Sequence, residues 1–282
     1  MILNTDQKIE LFDCHVHPDY SLDASGTMDE FCQKALRIGL KGICFTSHYD
    51  IDPERKDIDA FMRVKGKVIP LSEETVNIYL EDIEEVRHKY EPLGLKVRSG
   101  LEIDYAPRIE EQLKEDLSKF KLDYILGAVH CLEHIAITSS EEVFPYLEKR
   151  TAQSLCDDYY GNLISGIKSG LFHSVAHLDG FKKYALGYYG EKLLMAERIW
   201  IGPVLQELKN RKIGIELNTG WFKKGIKKFF PDEYILKSAA DSGINIMAIG
   251  SDAHRIEELG LGLPEAVSYI ENNKLSFAPF LT

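Results

Sequence analysis

Histidines and carboxylates recur in this sequence just after short apolar runs. DCHVH carries His15 and His17, TSHYD carries His48, LEID Glu102, AVH His130, AHLD His177, and GSDAH both Asp252 and His254. Imidazole nitrogens and carboxylate oxygens are donors that hold zinc, iron or manganese, so a set of them meeting at one place would bind divalent cations and support hydrolysis. Taken singly, each carries little. An H-x-H pair arises by chance or as hydrogen-bonded core partners, and His48 or His130 alone fits a satisfied structural histidine. Glu102 fits a buried ion-pair partner, and Asp252 fits a helix cap. Independent structural roles give no reason for all of them to follow the same kind of segment.

The segments that must position these groups are IELFDC (9–14), GICFT (42–46), LKVRSGLEI (95–103), DYILGAVH (123–130), LFHSVAH (171–177), IGIELNT (213–219) and INIMAIG (244–250). Their length and β-branched content predict seven strands, six of which end in a potential ligand. In the first, alternation predicts Asp13, His15 and His17 on one face. Between the strands lie helical patterns, clearest in Val76, Tyr79, Leu80, Ile83, Val86 and Tyr90, whose steps of three and four make one apolar stripe. Pro231, Asp232 and Glu233 suit a helix start and Gly243 a C-terminal cap, while Pro203 predicts a kink or break in the pattern from 191 to 210. The stretch from Asp50 to Leu71, with Pro53, Gly66 and Pro70, predicts an irregular loop that is either a lid or an inert insertion. Strand–helix alternation predicts parallel strands joined by crossovers, closed as a barrel or open as a doubly wound sheet, and both collect functional groups at the strands' C-terminal ends. His88 and His134 read as solvated, and His173, four residues before His177, as structural.

Composition bounds the function. The formal charge of −11 repels nucleic acid unless a basic patch is segregated. The basic cluster Lys223, Lys224, Lys227 and Lys228 lies beside Trp221, Phe222, Phe229 and Phe230, and reads equally as a solvated face. No run of apolar residues is long enough for a membrane span and the first residues lack a signal-peptide pattern, which predicts a cytoplasmic protein with no membrane partner. Cys14, Cys32, Cys44, Cys131 and Cys156 are odd in number and show no C-x-x-C spacing, so they read as reduced thiols. The length allows one large α/β domain or two small ones; a single domain over 1–282 is expected, and the sequence assigns it no oligomeric state.

In order and spacing, HVH at 15–17, Asp23 in SLDASG, TSH at His48, GLEID at Glu102, GAVH at His130, AHLD at His177 and GSDAH at 250–254 resemble the polymerase-and-histidinol-phosphatase (PHP) superfamily. The resemblance covers nearly the whole chain and implies an α/β fold, a distorted seven-stranded (β/α) barrel. AHLDGFKKY (176–184), ELNTGWF (216–222) and FPDEYIL (230–236) are similar to its monofunctional histidinol-phosphate phosphatases. It further implies three divalent metal ions, zinc, iron or manganese. His15, His17, Glu102 and Asp252 would hold the first, Asp23, His48 and His254 the second, and Glu102, His130 and His177 the third. Glu102, Asp252 and His254 would be catalytic, with Asp252 or a metal-bound water protonating the leaving group, while Lys183, Lys224 and Arg255 would orient a small-molecule phosphate ester. The implied reaction is hydrolysis of L-histidinol phosphate in histidine biosynthesis. Other phosphate esters, phosphotyrosine and nucleotides among them, stay open as substrates. So do an amidohydrolase-type reaction at carbon and a non-catalytic scaffold with a structural metal.

Overall fold

The computed structural model describes residues 9–281. Along the chain run β1 (Phe12–Val16), α1 (Met28–Ile38), β2 (Gly42–Tyr49), the hairpin β3 (Phe61–Val64) and β4 (Lys67–Pro70), α2 (Glu73–Tyr90), β5 (Lys96–Asp104), α3 (Glu110–Leu117) and β6 (Tyr124–Ala128). A two-residue hairpin, β7 (Cys131–Leu132) and β8 (Ile135–Ala136), leads to α4 (Val143–Leu147), α5 (Ala152–Ser169), β9 (Ser174–Val175), α6 (Lys182–Tyr189) and α7 (Glu191–Arg211). The remainder is β10 (Gly214–Asn218), α8 (Glu233–Asp241), β11 (Ile246–Gly250) and α9 (Leu263–Asn273). The seven expected strands form one parallel sheet in the order β1-β2-β5-β6-β9-β10-β11. Its ends meet through the Val16–Ala253 bridge, where the His17 N–H donates to the Ala253 carbonyl at 2.8 Å, so the sheet is a nearly closed barrel.

Strand alternation carries each inward row from an apolar base to a polar mouth. On β6, Tyr124, Leu126 and Ala128 share an interior cluster with Cys14, Cys44, Ala176 and Ala248, and the next residue of that parity is His130. On β2 the row is Cys44, Thr46, His48; on β11 it is Ala248, Gly250, Asp252. The first strand departs from strict alternation, because three steps on β1 from Asp13 to Val16 match only two on β2 from Ile43 to Phe45. This irregularity lets neighbouring Cys14 and His15 both face the interior. Asp13, expected beside His15 and His17, instead accepts from the Ser251 N–H (2.9 Å), the Ser251 hydroxyl (2.6 Å) and the Gly260 N–H (3.1 Å), tying the segment after β11 to β1.

Helices cover the outside of the barrel. On α2, Val76, Tyr79, Ile83 and Tyr90 are buried, with Leu80 and Val86 packed at the margin, as the stripe predicted; each fully buried apolar side chain contributes about 1.5–3 kcal/mol. Ser72 caps its start, and Asp232 caps α8 just after Pro231. Of the kink or break expected at Pro203, the break does not occur, since α7 runs through it. The carbonyl that Pro203 leaves without a donor belongs to Ile199, an exposed residue on the solvent side, where water can replace the lost bond. The segment from Asp50 to Leu71 is not irregular throughout, since it contains the β3–β4 hairpin. All five cysteines are buried and unpaired. No helix among the described residues is long and apolar enough to cross a membrane.

Candidate metal and active site

Glu102, at the C-terminal end of β5 and 1% exposed, is the centre on which the mouth's side chains converge. Its Oε2 lies 3.3 Å from His15 Nε2, 3.4 Å from His17 Nε2 and 3.2 Å from His48 Nδ1. Its Oε1 lies 2.9 Å from His177 Nε2 and 3.4 Å from His130 Nε2. Five rings from four different strand ends, two of them from β1, therefore surround one carboxylate. Asp252 Oδ1 closes one side, 4.0 Å from His15 Nε2 and 3.8 Å from His17 Nε2. On the other, the Asp23 carboxylate lies 3.2 Å from His254 Nε2 and 3.8 Å from His48 Nε2. The His254 ring stacks on His17 at 4.2 Å between centroids.

The donor chemistry fits cations. His15 Nε2 and His17 Nε2 are 2.9 Å apart, and His130 Nε2 and His177 Nε2 are 3.4 Å apart, so lone pairs aimed at one another need a proton or a metal ion between them. Sets of atoms within 4.8 Å of one another come from His15, His17 and Glu102; from His17, His48 and His254; from Glu102, His130 and His177; and from His48, Asp50 and His130. Burial alone would raise the Glu102 carboxyl, but His15 and His130 beside it hold it well below the usual carboxylate range. Burial opposes charge on His15 and His130 too. Glu216, Glu102 and Asp252 nevertheless raise His15 well above its ordinary value, and Glu102 and Asp104 push His130 up to about 9. Burial and the neighbouring His254 and His48 put His17 well below. At Asp252 burial is overruled by Lys223, His15, His254 and His17, and its carboxyl falls well below the usual range. A carboxylate that stays ionised is a ligand or a proton acceptor.

Surrounding residues fix this geometry. Asp252 itself sits at φ +54°, a left-handed conformation that aims its side chain back into the mouth. Asp104 accepts from the His130 N–H at 2.6 Å, and Glu216 joins His15 to the His177 backbone. The loop carrying Asp23 is clamped by Arg63 of β3, whose guanidinium donates to the carbonyls of Asp19 (2.8 Å), Ser21 (3.1 Å), Leu22 (2.7 Å) and Ala24 (3.0 Å). The hairpin thus belongs to the architecture of the site. Asp50, Asp104, Glu216 and Arg63 escape a reading based on strand ends, though an acid inside an otherwise apolar run such as IGIELNT signals a buried group with an obligatory partner.

A cavity of about 540 Å³ opens over the cluster, walled by Ile58, Phe61, Thr138, Tyr184 and Phe230 among others. Of the three cations expected to orient a substrate, Lys183 lines it, exposed, with Nζ 3.1 Å from the Thr138 carbonyl. Lys224 lies over the rings of Tyr184 and Trp221 at the rim, and Arg255 is exposed, 3.9 Å from Glu258; neither is among the lining residues. Arg55 does line the cavity, but both its terminal nitrogens are taken by Glu142, at 2.7 and 2.9 Å. Lys223 donates to the Asp252 carbonyl. His88 is exposed, His134 is only half-exposed and pairs with Asp52 at 2.7 Å, and His173 Nδ1 accepts from the Ile125 N–H at the base of the barrel.

The chain is similar to known proteins over almost its full length. It is 32% identical to a "Probable histidinol-phosphatase" of Deinococcus radiodurans over 93% of each chain, and 23% identical to a histidinol-phosphatase of Bacillus subtilis over 88% of this chain and 95% of that one. The crystal structure of histidinol phosphate phosphatase from Lactococcus lactis, complexed with zinc, L-histidinol and phosphate, superposes with a TM-score of 0.74 at 20% identity, covering 96% of this chain and 98% of that one. The PHP domain model matches residues 13–220, the span that runs from the first strand's ligand motif through β10, and with it the chain belongs to the PHP domain family.

Proposed function

We propose that this PHP-family metal-dependent phosphoesterase hydrolyses L-histidinol phosphate to L-histidinol and phosphate. The observation that carries the hydrolytic reading is the convergence of five imidazole nitrogens on the two oxygens of Glu102 at the base of an open cavity. A structural metal needs only four closed ligands, and this mouth offers more than twice that number. His15, His17, Glu102 and Asp252 would hold one cation, Asp23, His48 and His254 a second, and Glu102, His130 and His177 a third, zinc, iron or manganese in each case. When bound, such ions supply an ionised water as nucleophile at neutral pH and neutralise phosphoryl charge.

The chain's own residues do the rest. Glu102 is shared between two ligand sets and so fixes their separation. Lys183 is the cavity-lining cation with hydrogen-bonding capacity to spare, and it would pair with a phosphate oxygen. For the alcohol half, Asp50 lines the same cavity, its carboxyl pushed up to about 7 by burial, and an ammonium group of an amino alcohol placed beside it would favour the ionised form. Likeness to histidinol-phosphatases along nine-tenths of the chain supports this choice among phosphate esters. The net charge of −11 disfavours a nucleic-acid substrate.

A panel of phosphomonoesters, with phosphotyrosine, nucleoside monophosphates and a lactone as competitors, tests the reading in the presence of manganese or zinc. Histidinol phosphate is expected to give a kcat/KM at least about 100-fold above the rest, as a buried carboxylate matched to an ammonium group permits. Equal rates on all esters would remove the substrate assignment, and activity on the lactone alone would remove the phosphatase.

A further inference from the structure

Glu216 lies midway along β10, fully buried, on the side of His15 away from the ligand cluster. Its Oε1 is 2.8 Å from His15 Nδ1. Its Oε2 accepts from the His177 backbone N–H at 2.9 Å and from Asn218 Nδ2 at 3.1 Å. Neither oxygen faces the cavity, and Glu216 is absent from the donor clusters. The fit is close. A Cβ on Gly250 would stand 2.2 Å from Glu216 Oε1 and 2.4 Å from His15 Cβ, so only glycine lets the carboxylate reach the ring.

We propose that Glu216 is a positioning residue that keeps the proton of His15 on Nδ1, leaves the Nε2 lone pair free for a metal ion, and locks His15 in register with His177. A carboxylate has no proton to give, so the hydrogen in its 2.8 Å contact with Nδ1 belongs to the imidazole. Nε2 is then left facing Glu102, His17 and Asp252. The two-sided arrangement demands acceptors at both ends. A glutamine with its oxygen toward His15 would turn its NH2 onto the His177 N–H, which cannot reorient, and onto the Asn218 amide, whose Oδ1 is held by the Gly220 N–H at 2.8 Å. In the opposite orientation its NH2 would meet His15 Nδ1 and drive the proton to Nε2, blocking the ligand atom. The loss of one charge therefore acts on the site through hydrogen-bond polarity, with almost no change of shape.

The functional consequence rests on the metal-dependent reading, so the test separates the two. Long-range proton–nitrogen NMR on the metal-free wild-type protein, with His15 assigned by its loss in His15→Gln and followed up the pH scale until the ring is neutral, is expected to show the remaining proton on Nδ1. A bare Nδ1 would overturn the inference whether or not any variant folds. Zinc and manganese affinities are then measured by competition with a chromophoric chelator. Glu216→Gln is expected to weaken binding by about 10–100-fold at an unchanged circular dichroism spectrum. Equal affinity in the variant and wild type would overturn the positioning role. A wild-type protein that binds neither ion would instead sink the metalloenzyme reading, while the NMR result on Nδ1 would still stand or fall by itself.

Discussion

The base and the mouth of the barrel are made by the same strands and both contain fully buried side chains, yet they are held together by different physics. At the base, Cys14, Cys44, Tyr124, Leu126 and Leu281 form an apolar cluster, with Phe280 stacked on His173 at 4.4 Å and pinned by its N–H to the Met247 carbonyl. Polar groups there pair with protein atoms: His173 Nδ1 accepts from the Ile125 N–H, and the Tyr124 and Ser174 hydroxyls bond to each other. At the mouth, a step or two along the same inward rows, His15 and His17 are as buried as Cys44, but their donor atoms face one another. Apolar burial needs no partner, whereas buried imidazole lone pairs do. The base can therefore be complete in the protein alone, whereas the mouth needs protons or, on the function proposed above, metal ions between its donor atoms.

The strongest way to break this contrast is at its centre. Glu102→Gln removes one charge and hardly any volume, so the barrel should fold while the shared ligand is lost. Turnover is expected to fall by about 100-fold or more, and the metal-free protein to melt cooperatively but somewhat lower, because a carboxylate that His15 and His130 hold below its usual range stabilises the folded state. Steady-state kinetics and a thermal melt without metal check it. Activity within about tenfold of wild type would mean that Glu102 is not the shared ligand.

A third cluster sharpens the comparison, because it buries charge without needing a metal. Lys182 contacts Asp179 (3.0 Å), Glu197 (2.6 Å) and Asp232 (2.6 Å), joining α6, α7 and the start of α8. Burial opposes the Lys182 charge, but the three acids raise it well above its usual range, so the ammonium persists. At Glu197 burial wins over the attraction of Lys182, and its carboxyl moves from 4.5 to about 7. A folded-state value above the unfolded one favours the protonated form. Its contribution is present in full below pH 4.5 and is lost as pH rises through 7, a change of about 3 kcal/mol. Glu197→Gln, neutral at every pH, is expected to flatten that part of the profile. Urea unfolding of both proteins in chelator from pH 5 to 8 measures it, and parallel curves would contradict it.

How far these regions could be read in the sequence follows the same division. The strands were legible because their cores are continuous apolar runs, and the ligands at their ends were legible because alternation delivers them to one mouth. Asp23 lies in a loop and was reached only through family resemblance, because Arg63, four carbonyl contacts away on a hairpin hidden in charged sequence, sets its position. Asp13 was placed on the wrong face because an extra residue in β1 is invisible to a period of two. Glu216 and the Lys182 cluster depend on pairings across 201 and 50 residues, which no local pattern encodes.

The smallest expected effect comes from the base, and it tests the claim that this layer is structural only. Leu281 is 6% exposed and fills the underside of the barrel against Cys14, Tyr124 and Ala248. Leu281→Ala deletes that filling far from the ligands. The cost is expected to be about 2 kcal/mol, at the low end for a buried leucine, because a segment outside the helices and strands can settle into part of the void. Because the change touches no ligand and no residue that orients one, kcat and KM of the folded fraction should stay within about twofold of wild type. Urea denaturation and steady-state kinetics on the same preparation separate the two quantities. A fall in kcat at unchanged stability would mean that the base and mouth are mechanically coupled, and the division between a self-sufficient layer and a cation-dependent one would have to be given up.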